Sequence, residues 1–424
     1  MEIKKKEMSY QEFLNEPDKK YKKPRKRSFL LHFLIRILSI PELLKVKFKY
    51  EKIGMEKLDK KEPCIFLMNH SSFIDFKIAM KLLFPRKFNI VATDDGFVGK
   101  EWFMRTVGCI PTKKFSTDAA LVRDMKYVVN KLNSSILIFP EASYSFDGTA
   151  THLPDQFGKF VKMFKIPVVM IKTEGAFLRK PLYNNLQIRK INVSAKMKYL
   201  LSKEDIENMS VDEVNSIINK EFDFDHFAYQ KEHGIIIDEP FRADYLNRVL
   251  YKCPICGEEG YTEGKDTRLI CHNCNNVWEL TPEGNMENID GEDTFKHIPD
   301  WYKWQRESVR EELENGTYFM DLDVDICAMK NYTQIYKVGN GKLTHDKTGF
   351  TLVGCDGQIN LHVPAHTMYS LYSDYYWYNM GDIISITDGK INYYCFPKEK
   401  DVVSKARLAT EELYKLIKQK KISN

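Results

Sequence analysis

His70 and Asp75 stand five residues apart in Asn69-His70-Ser71-Ser72-Phe73-Ile74-Asp75, directly after the apolar run Cys64–Met68. On one helix two such residues would point about 140° apart, given 3.6 residues per turn. His70 is therefore expected in the loop before a helix and Asp75 in its first turn. From there the carboxylate can reach one imidazole nitrogen and leave the other facing a cleft. That is the base and orienting half of a triad, in which the acid fixes the tautomer and stabilises the imidazolium. Ser72-x-x-Asp75 also reads as a capping-box arrangement, with His70 then only a loop residue.

A second polar loop, Phe139-Pro140-Glu141-Ala142-Ser143-Tyr144-Ser145, follows the apolar run Ile136–Phe139. In open α/β sheets ligands bind beyond the carboxyl ends of strands, so one crevice can receive both loops. A third pattern is Cys253-x-x-Cys256, fourteen residues, then Cys271-x-x-Cys274. Each pair makes a knuckle, and two knuckles complete a four-thiolate tetrahedral site, which closes the metal's shell and implies a structural zinc. Gly257 and Asn275 suit the turns that follow the knuckles, and His272 is expected to be no ligand.

The elements that must hold these groups alternate strand and helix. Cys64–Met68, Phe88–Ala92, Ile136–Phe139 and Pro167–Lys172 read as buried strands, and Phe76–Leu83 and Ala119–Leu132 as amphipathic helices, the second capped by Ser116, Thr117 or Asp118. This implies an α/β layer on a mostly parallel sheet flanked by helices. Ser202–Lys220 reads as one further helix, followed by an irregular stretch over Phe222–Pro240. The cysteine block runs from Tyr251 to Leu280. Acidic turns at Glu287, Asp290, Glu292 and Asp293 suggest a linker. Tyr318–Phe396 is rich in β-branched and aromatic residues and suggests short antiparallel strands, with Tyr369–Tyr378 as one aromatic face. Val402–Gln419 is an amphipathic helix that closes this β-rich domain.

A chain of 424 residues implies several domains. The expected division is a basic leader with a short apolar helix over 1–50, the α/β domain over 51–240, a zinc ribbon over 241–285, and a β-rich domain with a terminal helix over 286–424. The leader carries the chain's charge surplus: Met1–Ser28 holds ten Lys/Arg against five Asp/Glu, and the whole chain is +5. Phe29–Ile40 is nearly all apolar, interrupted by His32 and Arg36, with Pro41 expected to close it. Twelve residues are too few to span a bilayer, which needs about twenty. A basic run leading into a short apolar helix reads as an anchor on an anionic membrane surface, at the cytoplasmic face. The other reading is a solvated tail followed by a core helix. Nine cysteines with no secretory leader ahead of them argue for a reducing compartment.

Asn69-His70-x-x-x-x-Asp75 followed by Phe139-Pro140-Glu141 resembles the signature of the glycerolipid acyltransferases, typified by the 1-acylglycerol-3-phosphate acyltransferases. Gly108-Cys109-Ile110-Pro111-Thr112-Lys113-Lys114 and Ile166-Pro167-Val168-Val169 are similar to two weaker blocks of that family, and all four occur in the family's order. The likeness covers residues 30 to 230. It implies acyl transfer from acyl-CoA or acyl carrier protein to a hydroxyl of a lysolipid acceptor in phospholipid biosynthesis. His70, Asp75 and Glu141 would be catalytic. Asn69, Ser71, Lys113, Lys114, Pro140, Ser143 and Tyr144 would line the substrate site. Ala142, Ser143 and Tyr144 depart from the family's Gly-Thr-Arg, and the missing Arg, which the family associates with the acceptor's phosphate, puts a plain lysophosphatidate acceptor in doubt. Lys113, Lys114 and Lys172 are the cations left to contact a phosphate. Two readings stay beside the enzyme: a non-catalytic membrane adaptor using the ribbon and β-rich domain to hold a partner, and a zinc-ribbon nucleic-acid binder. Glu258, Glu259, Glu263 and Asp266 make the ribbon acidic, so no nucleic-acid partner is expected. No site is expected beyond residue 286.

Overall fold

The computed structural model describes residues 5–114, 119–151, 153–154, 156–289, 291–292 and 294–423. The expected caps Ser116, Thr117 and Asp118, and the linker acids Asp290 and Asp293, lie outside the described residues.

The first half forms a seven-stranded sheet in the order Lys49–Ile53, Ser194–Leu201, Val168–Glu174, Ile65–Met68, Ser135–Ile138, Phe88–Thr93, Cys109–Thr112. All neighbours run parallel except Val168–Glu174 against Ser194–Leu201. Side chains along a strand alternate faces. Phe66 and Met68 therefore enter one core with the helix Ile74–Leu83, while Ile65 and Leu67 enter the opposite core with Ala119–Asn130 and Val211–Phe222. Burial on both faces is why these strands read as continuous apolar runs.

Several expectations are corrected. The helix expected over Ser202–Lys220 is two helices, Lys203–Asn208 and Val211–Phe222, each opened by a serine capping box, Ser202 with Asp205 and Ser210 with Glu213. The second cap breaks the run because Ser210 takes an extended conformation. The stretch expected to be irregular contains the helix His226–Glu232. Pro41 does not end the apolar helix, which runs Phe29–Lys45. The leader is not a free tail: Lys5–Glu7 adds a parallel strand to Ile335–Asp346, Tyr10–Leu14 is helical, and Arg27 is buried with its guanidinium on the Pro85 and Arg86 carbonyls.

The cysteine block is a four-stranded antiparallel sheet that runs on through Met286–Asn288, within the stretch expected to be linker. Next comes a helix that the sequence reading missed, Ile298–Asn315. It braces the ribbon: Trp301 packs edge-on against Trp278 at 5.1 Å, and Gln305 satisfies the Lys252 amide and the Val249 carbonyl. The C-terminal region is a meandering sheet in the order Ile359–Pro364, Gly349–Gly354, Ile335–Asp346, Met320–Met329, Asn392–Pro397, Ile383–Thr387, Tyr372–Asp374. The helix Val402–Ser423 packs on Ile298–Asn315 and on this sheet. One apolar core runs from Phe177 and Tyr183 through the ribbon to Ala406, Leu408 and Ala409, so the parts are joined by a common interior.

Candidate active site and metal centre

The two polar loops meet because their strands are neighbours: Ile65–Met68 pairs with Ser135–Ile138, with Leu67 opposite Ile138. His70 lies in the loop and Asp75 in the first turn of Ile74–Leu83. Asp75 is fully buried, and its Oδ2 accepts from His70 Nδ1 at 3.1 Å and from the amides of Ser71 and Ser72 at 2.7 and 3.0 Å. A carboxylate only accepts, so a His70 proton sits on Nδ1, and Nε2 is left outside this contact. No residue among those described hydrogen-bonds Nε2, and a quarter of the side chain is exposed. Asp75 thus orients the imidazole and ties down the loop that carries it. Half of the capping box is present; the Ser72 hydroxyl makes no hydrogen bond among the described residues.

Asn69 fastens the loop to the next strand. It donates to the Thr173 carbonyl at 3.0 Å and accepts from the Thr173 amide at 2.7 Å and from its hydroxyl at 3.0 Å. The His70 ring is stacked on Phe139 at 4.1 Å and lies against Tyr144 at 4.4 Å.

Glu141 is 1% exposed, and its two oxygens accept the backbone amides of His70 at 3.1 Å and Thr151 at 3.0 Å. Burial raises its carboxyl pKa to about 7, against the pull of those two amides and of Arg407. Ala142 holds φ +56°, a left-handed conformation that favours glycine, which accounts for glycine at this position in the resembling signature. Ser143 is buried, and its hydroxyl and that of Ser71 have no hydrogen-bond partner among the described residues. Burial beside Asp75 and Asp374 pushes the Tyr144 phenol pKa up. Pro140 lies buried between Phe139 and Glu141.

The structure brings Asn69, His70, Asp75, Glu141 and Tyr144 together. It engages both lysines of the other block with the C-terminal region. Lys113 donates to the Gly389 carbonyl, and the Lys114 ammonium sits 3.9 Å from the Tyr372 ring centre. Lys172 donates to the Asp223 carbonyl. Two residues that sequence reasoning missed belong to this neighbourhood, Thr151 and Arg407. No local pattern marks Arg407, which lies 256 residues from its contact Thr151. The aromatic stretch Tyr369–Tyr378 faces the same domain: Tyr372 and Trp377 both donate to Asp95, on the turn after Phe88–Thr93.

At the ribbon the four sulfurs of Cys253, Cys256, Cys271 and Cys274 lie within 4.8 Å of one another, and none is in a disulfide. Cys253 and Cys274 are 3.6 Å apart, and Cys256 and Cys271 3.8 Å. A tetrahedral zinc with bonds of about 2.3 Å needs sulfurs about 3.8 Å apart, so the set fits the ion. Gly257 and Asn275 turn the two knuckles at positive φ, their amides returning to the carbonyls of Cys253 and Cys271. His272 is bound to Glu263 and stands outside the set.

The family model Acyltransferase matches residues 49–172, a span that contains His70, Asp75 and Glu141. No curated protein matches the chain. Among solved structures the chain is similar to PlsC, the 1-acyl-sn-glycerophosphate (LPA) acyltransferase from Thermotoga maritima, with 16% identity over 45% of this chain and 77% of that one and a TM-score of 0.34. The residues that match the acyltransferase model lie within the α/β half of the chain, to which the ribbon and the C-terminal sheet are joined.

Proposed function

We propose that the protein is an O-acyltransferase working at a membrane surface, moving a fatty acyl group from acyl-CoA or acyl carrier protein to a hydroxyl of a lysophospholipid-type acceptor. The observation that carries this is the buried Asp75 carboxylate on His70 Nδ1, which leaves Nε2 basic and partly exposed. Nε2 takes the proton of the acceptor hydroxyl as that oxygen bonds to the thioester carbonyl carbon. The tetrahedral adduct then expels the thiolate, and the imidazolium returns its proton to the sulfur. No covalent acyl-enzyme is needed. Glu141 organises the loop beside His70. The four cysteines hold a structural zinc.

The membrane part rests on the helix Phe29–Lys45. Phe29, Leu30, Leu34, Ile37, Leu38 and Leu44 are all exposed, and Leu38 is 74% exposed. Lys20, Lys23, Arg25 and Lys26 are exposed just ahead of it. Among the described residues no helix is long and apolar enough to cross a membrane. An exposed apolar stripe flanked by cations suits a peripheral anchor on anionic lipid, placed here at the cytoplasmic face.

One observation favours the adaptor reading. Tyr144 replaces the signature's arginine and packs on His70. Acyl transfer from labelled acyl-CoA and acyl carrier protein to a panel of lysolipids decides between them. Transfer to one acceptor by wild type, lost in a folded His70→Ala, supports the enzyme. Persisting transfer in folded His70→Ala removes the mechanism.

A further inference from the structure

Arg407 lies on the C-terminal helix and is 4% exposed. Burying a guanidinium costs several kcal/mol unless its charge and its donors are matched. Here Nε donates to Glu411 at 3.2 Å, and Nη2 donates to the Thr151 hydroxyl at 3.2 Å. The planar group lies over the Phe146 ring at 4.4 Å. Glu411 is itself held by Arg306 at 2.7 Å and by the Ser370 hydroxyl at 2.7 Å, so the arginine is fixed from behind. From Thr151 the chain of bonds continues into the catalytic loop. The Thr151 amide donates to one oxygen of Glu141, and the other oxygen accepts the His70 amide.

Resting on the acyl-transfer reading, we propose that Arg407 is a positioning residue for the reaction, acting through Thr151 and the Glu141 carboxylate on the backbone of His70. The C-terminal helix is thereby part of the catalytic apparatus, not an appendage that closes a separate domain. The physical reason lies in the state Glu141 must keep. An ionised carboxylate can accept both amides; a protonated one turns an O–H toward one of them and loses that bond. Burial works against ionisation; the Thr151 and His70 amides oppose that effect, and beyond them the Arg407 charge lowers the pKa while the Asp75 charge raises it. Arg407 therefore favours the ionised carboxylate against the effect of burial, which leaves the pKa at about 7 where it would otherwise stand higher. Tyr144, standing where the resembling signature has arginine, supplies no positive charge on this loop, and the helix brings one in from elsewhere in the chain.

The test compares wild type with Arg407→Gln, Arg407→Lys and Thr151→Val, each checked for thermal stability and metal content. Two readouts are taken: the pH profile of kcat, and the titration of Glu141 by carbon-13 NMR of glutamate-labelled protein, assigned by its loss in Glu141→Gln. The expectation for Arg407→Gln is an upward move of the Glu141 midpoint from about 7, with the acid limb of kcat moving with it. At pH 7 an upward move of about one unit lowers the ionised fraction, and kcat with it, about fivefold, with KM changed far less. Arg407→Lys restores both toward wild type. Thr151→Val, which leaves the Arg407–Glu411 pair in place, lowers kcat with a smaller displacement of the limb. An unmoved Glu141 midpoint and acid limb in a folded Arg407→Gln overturns the proposal, as does a loss of kcat that is the same at every pH. If wild type transfers no acyl group to any acceptor, the enzymatic reading falls on that result, and the NMR titration still reports whether Arg407 governs Glu141.

Discussion

Replacing Asp75 by asparagine separates what the carboxylate does for the fold from what it does for the chemistry. The side chain is isosteric, and its remaining oxygen can still accept from the Ser71 and Ser72 amides now 2.7 and 3.0 Å away. The new amide nitrogen would face the Thr173 hydroxyl, which stands 3.5 Å from Oδ1. Fold and stability should therefore change little. The charge is lost. Two unit charges about 4 Å apart in a partly buried site interact by about 4 kcal/mol at an effective dielectric constant of about 20. That stabilisation applies to the imidazolium formed as the acceptor gives up its proton and not to the resting neutral ring, so it belongs to the transition state. About 4 kcal/mol corresponds to roughly a thousandfold in rate. Asp75→Asn is expected to lower kcat by about that factor, with a smaller change in KM. The assay is steady-state transfer from labelled acyl-CoA to the acceptor found with wild type, on protein whose melting temperature is within a few degrees of wild type. A folded variant that keeps kcat within about tenfold of wild type would refute the general-base geometry, because the acid would then be only a cap for the loop.

Two further outcomes follow from the same structure. Cys256→Ser should purify without the roughly one zinc per chain expected of wild type and melt at lower temperature, because metal binding contributes directly to folding in such sites; metal-free wild type of undiminished stability, shown by elemental analysis and calorimetry, would exclude a structural ion. Leu34→Glu with Leu38→Glu alters exposed side chains only; co-sedimentation with anionic vesicles should fall by more than tenfold, each apolar side chain contributing about 1.5–3 kcal/mol when buried in lipid, whereas unchanged binding would remove the anchor.

The α/β half was legible because each of its signals is local. Strands buried on both faces are uninterrupted apolar runs, and the two polar loops follow such runs directly, so His70 and Asp75 could be singled out from spacing, with Glu141 added by the resemblance. The ribbon was legible for the same reason, since a knuckle is a contact between residues three apart. What escaped was governed by distant partners. The helix Ile298–Asn315 is strongly charged, and its buried side is a narrow stripe of Ile298, Trp301, Tyr302, Gln305 and Val309 at helical spacing. Its polar Gln305 is buried because the ribbon backbone needs it, which no periodicity reveals. The strand Lys5–Glu7 is exposed along its length and exists only because Ile335–Asp346 offers it an edge.

The same distinction explains why no site was expected beyond residue 286. Lys405 on the C-terminal helix binds both Glu259 of the ribbon and Glu312 of Ile298–Asn315, and Lys252 bridges the same two acids. Two residues further along that helix, Arg407 meets Thr151. The ribbon therefore lies within one helical turn of a residue that bears on Glu141. If a metal closes the ribbon, as proposed, the ribbon clamps this helix, and the helix holds the arginine. Loss of the metal should then act on catalysis as a weaker form of Arg407→Gln: a lowered kcat whose acid limb has moved upward, alongside the lowered stability. On the proposed reading, the four cysteines become in this way the far end of the structure that positions His70.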